Sequence, residues 1–551
     1  MSPDALASAL LDVLTAIAER RRPDQPLGIE TGDITVERPK NRDHGDWSTN
    51  AAMKFAKRLG QNPRELAQEI ADRLVETDGV ASVEVAGPGF INIRLEAAAA
   101  GALAKTIVDA GEAYGRNDSQ ARATVDVEFV SANPVGPLHI AHTRWAALGD
   151  AIARLLEASG AKVAREYYIN DAGAQMDRFG ASIVASLHGE EKPEGGYAGA
   201  YIDALGQTVL AERPDLLDLP RDEQIVLARD LAYPHQLDEI KASLAAFNVD
   251  FDVWFSERTL HEGDPSLIDR AVERLREQGY VYESDDAIWV RTTAFGDDKD
   301  RVIRRGNGVY TYFAADAAYY LDKGDRGWEK KIYLLGADHH GYVHRLKALA
   351  GAAGDDPEKN IEVLIGQMVS INGARLSKRA GNIIEMDDII EWIGTDALRY
   401  SLERSPADSP LDLDPELLRK RTNDNPVFYV QYAHARTHNV ARNAADAGVT
   451  RDAFQPELLD HETEAALLGA LQEFPRIVAF AAAQREPHRV ARYLEELAGL
   501  YHRWYDSCRV TPRGDDQIEP VHGTRLWLND ATGQVLRNGL TLLGVSAPER
   551  M

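Results

Sequence analysis

The apolar positions fall into three blocks with different periods. In the first, Leu6, Leu10, Leu14 and Ile17 recur at helical spacing and stop at Arg22-Pro23. TGDITVERP then reads as a strand and KNRDHGDWST as a polar loop, in which Asp43, His44, Gly45, Asp46 and Trp47 are expected to be exposed. A helix follows from about Asn50. VASVEVAGPGFINIRL reads as two short strands around a Gly-Pro-Gly turn. Residues 1–115 are therefore predicted to form a separate α+β domain.

The second block opens with Val125, Val127, Phe129 and Val130, a β-branched run that predicts a buried strand. A loop rich in Asn, Pro and Gly runs from Ser131 to Pro137, and an Ala-rich helical segment follows. Strand, turn and helix in that order form the first unit of a nucleotide-binding α/β domain. Ala161 to Ile169 reads as the next strand, ending at Asn170-Asp171-Ala172-Gly173. Helical segments over 175–245 are expected to break at Pro214, Pro220 and Pro234. DFDVWFSE is strand-like, Pro265 to Gln278 helical, and YVYESDDAIWVRTT a hairpin. The stretch 185–305 interrupts the α/β alternation and reads as an insertion. KIYLLGADHHGY and IEVLIGQMVSINGARLSKRAGN complete a Rossmann-like domain over 116–414. The third block, 415–551, is helical almost throughout, an all-α bundle. The fold class is α/β, with an α+β domain before it and a helical domain after it.

Composition narrows the function. At 551 residues the chain exceeds one core, and about 100–200 residues per domain predicts three or more. Hydrophobic residues at 44% and charged residues at 27% are those of a soluble globular protein. The single cysteine, Cys508, excludes an intrachain disulfide and a Cys-cluster zinc site, and suits a reducing cytoplasm. No apolar run approaches membrane-spanning length, and the N-terminus lacks the pattern of a signal peptide. The net charge of −26 opposes a nucleic-acid partner if taken globally. A structured RNA needs only a local basic track, however. Arg419 to Arg421, Arg436 to Arg442 and Arg503 to Arg513 are candidates. Solvated helix faces are the commoner fate of such clusters.

The chemistry concentrates in the turn after the first buried strand. His139 and His142, three apart at a helix start, point to one side beside the free N–H groups of the helix. That arrangement suits a polyphosphate, although any strand-to-helix turn can carry two half-exposed histidines. The stretch SANPVGPLHIAH resembles the HIGH element of class I aminoacyl-tRNA synthetases, in its arginyl-tRNA synthetase version. Ala141 stands where the family has Gly, which leaves the site in place but tighter over the adenine. Downstream, Arg375-Leu376-Ser377-Lys378-Arg379 resembles the KMSKS loop of the same class. Arg375 replaces its first lysine and Arg379 its last serine, while Lys378 keeps the second lysine. A cationic loop can close over a triphosphate and neutralise charge building on the leaving pyrophosphate. Arginyl enzymes often lack the first lysine.

Tyr312 and Asp316 lie four apart on one face of a predicted helix. A carboxylate there suits a guanidinium, whose planar fork an aromatic ring can orient; helix packing explains such a pair equally well. The spacing resembles the arginine site of arginyl-tRNA synthetases. The resemblance adds Glu128 as a second carboxylate, and Ser131 and Asn133 as ligands of the amino acid's α-amino and carboxylate groups. Pro137, Ala141, Gly336, Asp338, His339, Ser377 and Lys378 are implied ATP contacts. Adjacent histidines at 339 and 340 diverge, so a metal there is not expected. Trp47 and Phe90 of the N-terminal domain, and Tyr432, Arg436, Arg503, Trp504 and Arg509 of the helical domain, are implied tRNA contacts. Aromatics at helical spacing are more often core.

The resemblance covers nearly the whole chain, domain by domain. It implies activation of L-arginine by ATP, with magnesium, to arginyl-adenylate and pyrophosphate, then transfer to the terminal ribose of an arginine-accepting tRNA. His139, His142, Arg375 and Lys378 would carry the first step, and activation would require bound tRNA. No structural zinc, no membrane association and a cytoplasmic monomer are expected. A cysteinyl enzyme is opposed by the lack of cysteine ligands. A non-catalytic RNA-binding paralogue is opposed by the retained histidines and lysine.

Overall fold

The computed structural model describes residues 3–23, 27–39, 44–371, 384–452, 454–514 and 516–551, without the side chains of Asp4, Ala97 and Asp338. Helix α1 (Pro3–Arg21) buries Leu6, Leu10, Leu14 and Ile17 completely, as their spacing requires. Strands β1 (Val36–Glu37), β2 (Trp47–Thr49), β3 (Val80–Ala86) and β4 (Phe90–Leu95) form an antiparallel sheet in the order β1-β2-β4-β3. Helices α2 (Ala51–Leu59) and α3 (Pro63–Leu74) pack on it. Asn62 caps α3, its Oδ1 accepting the Arg64 N–H at 2.9 Å, with Pro63 in the first helical position.

This domain's core runs from Leu6 to Leu95 and so stops short of residue 115. Helix α4 (Ala97–Ala110), expected within it, packs on the C-terminal helices, where Ala104 and Ile107 join the largest core. Its small side chains permit that approach. A Cβ on Gly101 would stand 2.3 Å from the Pro456 carbonyl oxygen.

The α/β domain starts with β5 (Thr124–Glu128), α5 (Ile140–Ala158) and β6 (Lys162–Ile169). Helices α6 (Ala174–Leu187), α7 (Ala200–Glu212) and α8 (Arg221–Ala246) lead to β7 (Val253–Ser256). Next come α9 (Arg258–His261), α10 (Leu267–Glu277) and an antiparallel sheet of β8 (Val281–Ser284), β9 (Ala287–Val290) and β10 (Arg301–Arg304). The second half contains α11 (Tyr312–Asp325), β11 (Lys330–Gly336), α12 (Tyr342–Ala352) and β12 (Ile361–Gly366). The five strands β12-β11-β5-β6-β7 are parallel in that order. Chain order runs outward from β5 in both directions, so the crevice where such sheets bind ligand lies between β5 and β11.

Two expectations about 185–305 are corrected here. β7 belongs to the nucleotide-binding sheet, paired with β6 from Glu166 to Ile169, so the insertion is not continuous. A four-residue edge strand is too short to announce its partner. Pro234 lies inside α8 without breaking it. Its ring faces solvent, where water can serve the backbone carbonyl that loses its donor.

The chain continues through β13 (Val369–Ile371), α13 (Met386–Ile393), α14 (Thr395–Glu403), β14 (Leu411–Leu413) and α15 (Pro415–Leu418). A bundle of α16 (Pro426–Asp446), α17 (Glu462–Gln484), α18 (His488–Ser507) and α19 (Pro520–Leu542) ends it. α16 packs on α19 and α17 on α18. By length and composition α17 could cross a membrane, contrary to the expectation that no run reaches that length. Half of its apolar window is buried inside the bundle, which explains its apolarity as helix core.

Candidate active site

The site is built at the carboxyl end of β5. Glu128 ends that strand, and Val130 and Ser131 follow with φ of 65° and 39°. A β-branched residue in the left-handed region is strained, and such strain collects at binding sites. The turn folds Ser131 back onto Glu128. Ser131 Oγ donates to Glu128 Oε1 at 3.3 Å and accepts the Tyr168 N–H at 3.1 Å.

The helix that follows lies close to the strand. A Cβ on Gly149 would stand 2.2 Å from the Phe129 ring, so only glycine lets α5 approach so near. His139 is its N-cap residue, and the His139 and His142 rings lie against each other, centroids 3.8 Å apart and tilted by 32°. The His139 backbone N–H donates to His142 Nδ1 at 3.3 Å. That bond requires a lone pair on Nδ1, which puts the ring proton of the neutral His142 imidazole on Nε2. Pro137, Ala141 and Gly336 are half-buried around this turn and the β11 end, and His339 is exposed, its ring 5.9 Å from Tyr342. The side chain of Asp338 lies outside the described residues.

Arg375, Ser377 and Lys378 also lie outside the described residues, but both flanks of their segment are tied to α5. Before it, buried Arg144 donates to the carbonyls of Gln367, Pro406 and Ser409, each at 2.9 Å. After it, the Met386 N–H donates to the Leu138 carbonyl at 2.8 Å, and His139 bridges to Glu385.

Asp316 approaches from α11. One of its oxygens, Oδ2, is buried without a hydrogen-bond partner. Burial pushes its carboxyl up to about 7; Arg345 opposes the rise, and the nearby charges of Glu128 and Glu257 add to it. Glu257, at the end of β7, is also raised by burial, and it hydrogen-bonds Tyr168. Asp316 therefore meets two further carboxylates against one guanidinium, Arg345, whereas Glu128 has its own cation in Lys323, 2.7 Å away. Asp316 is the acid of this group short of positive charge, which suits a cation.

The structure brings Glu128, Ser131 and Asp316 together. It leaves Asn133 exposed on the loop and Tyr312 75% exposed at the start of α11, so the phenol packed among the acids is Tyr168, not Tyr312. Tyr168 lies one residue before the end of β6. Glu257 and Arg345 carried no local signal, because only the fold brings β7 and α12 to Asp316.

Two of the expected tRNA contacts are core residues. Trp47, expected in an exposed loop, is 1% exposed in β2, paired with Ile93. Trp504 is fully buried in α18. Both are apolar rings at the period of their element, which drew them inward. Phe90 is 43% exposed after its turn, and Arg503 and Arg509 are exposed. Arg436 lies between the rings of Tyr432 and Tyr505, 4.7 Å from each, and donates to the Tyr432 hydroxyl at 2.8 Å.

Three family models match the chain: the arginyl tRNA synthetase N-terminal domain over residues 4–95, the catalytic domain of class I (R) tRNA synthetases over 104–194 and 228–409, and the DALR anticodon binding domain over 430–551. An arginine–tRNA ligase of Renibacterium salmoninarum is 62% identical over 551 residues, covering all of both chains. One of Micrococcus luteus is 59% identical over 558 aligned positions, again covering all of both. The solved arginyl-tRNA synthetase of Thermus thermophilus superposes with a TM-score of 0.74 at 23% identity, over all of both chains, a likeness of fold.

Proposed function

The chain belongs to the arginyl-tRNA synthetase family, and from that premise we propose how its residues divide the work. It is a class I arginine–tRNA ligase: it activates L-arginine with ATP and charges tRNA with the product. The arginine guanidinium enters the acidic pocket, against Asp316 and Glu257 with Tyr168 beside them and Glu128 and Ser131 at the strand end. The observation that carries this reading is the buried, unpartnered Asp316 Oδ2 among repelling carboxylates. A planar fork donor satisfies two acids at once, whereas a lysine ammonium makes no paired bonds to one carboxylate. Tyr312, exposed one turn before Asp316, and Asn133 border the pocket mouth.

MgATP lies along the α5 N-terminus, with Pro137, Ala141, Gly336, Asp338 and His339 around it. Magnesium enters as part of the substrate. The arginine carboxylate, already ionised, attacks the α-phosphorus. A new P–O bond forms as the bond to pyrophosphate breaks, and charge grows on the leaving oxygens. His139, His142, Arg375, Ser377 and Lys378 hold that charge. Both flanks of the 372–383 segment, at Gln367 and Glu385, lie beside the same turn, which supports this role. The tRNA ribose hydroxyl then attacks the arginyl carbonyl and releases AMP. Phe90, Arg503, Arg509 and the Tyr432–Arg436–Tyr505 stack contact tRNA. The enzyme would act as a monomer in the cytoplasm, a reducing setting that suits its one buried cysteine.

The test is arginine-dependent pyrophosphate exchange with and without tRNA. The family resemblance leads us to expect exchange only with tRNA. His142→Ala should cut adenylate formation and leave tRNA affinity intact; a collapse of tRNA affinity with normal exchange would place the site elsewhere.

A further inference from the structure

Beneath the pocket lies a charged group with no part in the chemistry above. Lys323 stands two helical turns after Asp316 in α11, and its side chain has no exposure at all. Its Nζ is 2.7 Å from Asp126 Oδ1 and 2.7 Å from Glu128 Oε2. It also lies over the rings of Tyr319 and Tyr333, at 4.5 and 4.4 Å. Asp126 and Glu128, two apart on β5, project to the same face of the sheet. Behind them Asp126 lies beside Glu166, which accepts a two-pronged contact from Arg326 at 2.7 and 2.8 Å.

A buried ammonium is costly unless its acids are well placed, and neutralising Asp126 alone needs only one of these two bonds. The second bond goes to the pocket residue. It divides the Glu128 carboxylate: Oε2 is clamped from below by Lys323, while Oε1 stays with Ser131 at the strain-bearing turn. We propose that Lys323 is a positioning residue of the arginine pocket: it fixes the rotation of the Glu128 carboxylate so that Oε1 faces the substrate, and it acts without touching arginine. This rests on the reading that Glu128 faces arginine.

The experiment compares full-length Lys323→Met, the double variant Asp126→Asn with Lys323→Met, and Glu128→Gln, by aminoacylation kinetics and thermal unfolding. Lys323→Met is expected to raise the KM for arginine about tenfold or more, the effect of losing a charge-assisted hydrogen bond, with the KM for ATP unchanged. The double variant removes the acid that Lys323 neutralises, so it should regain folding stability yet keep the raised arginine KM. A normal arginine KM in the double variant would overturn the proposal and reduce Lys323 to a neutraliser of Asp126. So would a joint rise of both KM values. Glu128→Gln separates the two readings. If it leaves the arginine KM unchanged, the pocket assignment fails; if it raises that KM and the Lys323 variants do not, only the positioning role fails.

Discussion

Two aspartates, the buried Asp150 and the half-buried Asp316, sit on helices of the same domain in opposite electrostatic settings. Asp150, inside α5, accepts Arg154 at 2.7 Å, Arg165 at 3.2 Å and Arg399 at 2.7 Å. Burial alone would raise its pKa, but Arg399, Arg154 and Arg165 outweigh burial and hold it below the usual carboxylate range. Asp316 has one nearby guanidinium, Arg345, and two acids against it, and it stands at about 7. The first carboxylate is saturated and joins α5, β6 and α14 into a scaffold. The second is left short of positive charge. A buried acid with its cations supplied by the chain is architecture; one whose cation is missing marks where a ligand supplies it.

The comparison breaks if the two sites respond alike to loss of charge. Asp150→Asn leaves Arg399 buried without its acid, and should cost about 3–5 kcal/mol of stability in chemical unfolding. The arginine KM of the folded fraction should not change. Asp316→Asn should do the reverse. Arginine kcat/KM should fall about a hundredfold, roughly 3 kcal/mol, with stability maintained, because no hydrogen bond to Asp316 Oδ2 is lost and its one nearby cation, Arg345, still rests on the Tyr342 ring at 4.4 Å. A destabilised Asp316→Asn with normal arginine kinetics would place Asp316 with the scaffold.

Acid sharpens the contrast further. On the proposed reading arginine binds the ionised Asp316 carboxylate, and that carboxyl holds a proton below about 7. Binding must expel that proton, so the arginine KM should rise as pH falls below 7, up to about tenfold per pH unit, and the ATP KM should not follow. Asp316 has a folded pKa above its unfolded one, so stability without arginine should fall as pH rises from about 4 to 7. Asp150 has a lowered folded pKa, so its contribution is present at neutral pH and lost only as acid titrates below the ordinary carboxylate range. Unfolding curves across pH, with and without arginine, read both signs. The smallest effect belongs to Ser131→Ala. Its weak bond to Glu128 should be worth about 0.5–1.5 kcal/mol, seen as a several-fold rise in arginine KM.

Local features were legible where one element carries the whole signal. His139 and His142 share a helix start, Glu128 ends a β-branched run, and Asp316 stands among alanines at helical period. The nucleotide-binding halves, the N-terminal domain and the helical ending followed from changes of period. The same reasoning misread Trp47 and Trp504, because an aromatic beside charged residues looks identical in sequence whether it faces solvent or core. It also assigned α4 to the wrong neighbour, since an alanine-rich helix carries no record of what it packs against.

The sequence by itself therefore determined the order of domains, the turn that bears the histidines and the presence of two acids suited to a guanidinium. The period and chemistry of one segment are enough for each of these. Only the tertiary structure decided that Glu257 and Tyr168 stand beside Asp316 while Tyr312 faces solvent, and that Lys323 lies beneath Glu128. Those contacts join β6, β7 and α11 to β5 across long spans of chain. Which side chains meet there depends on sheet order and helix approach, and neither is written in any single stretch of residues.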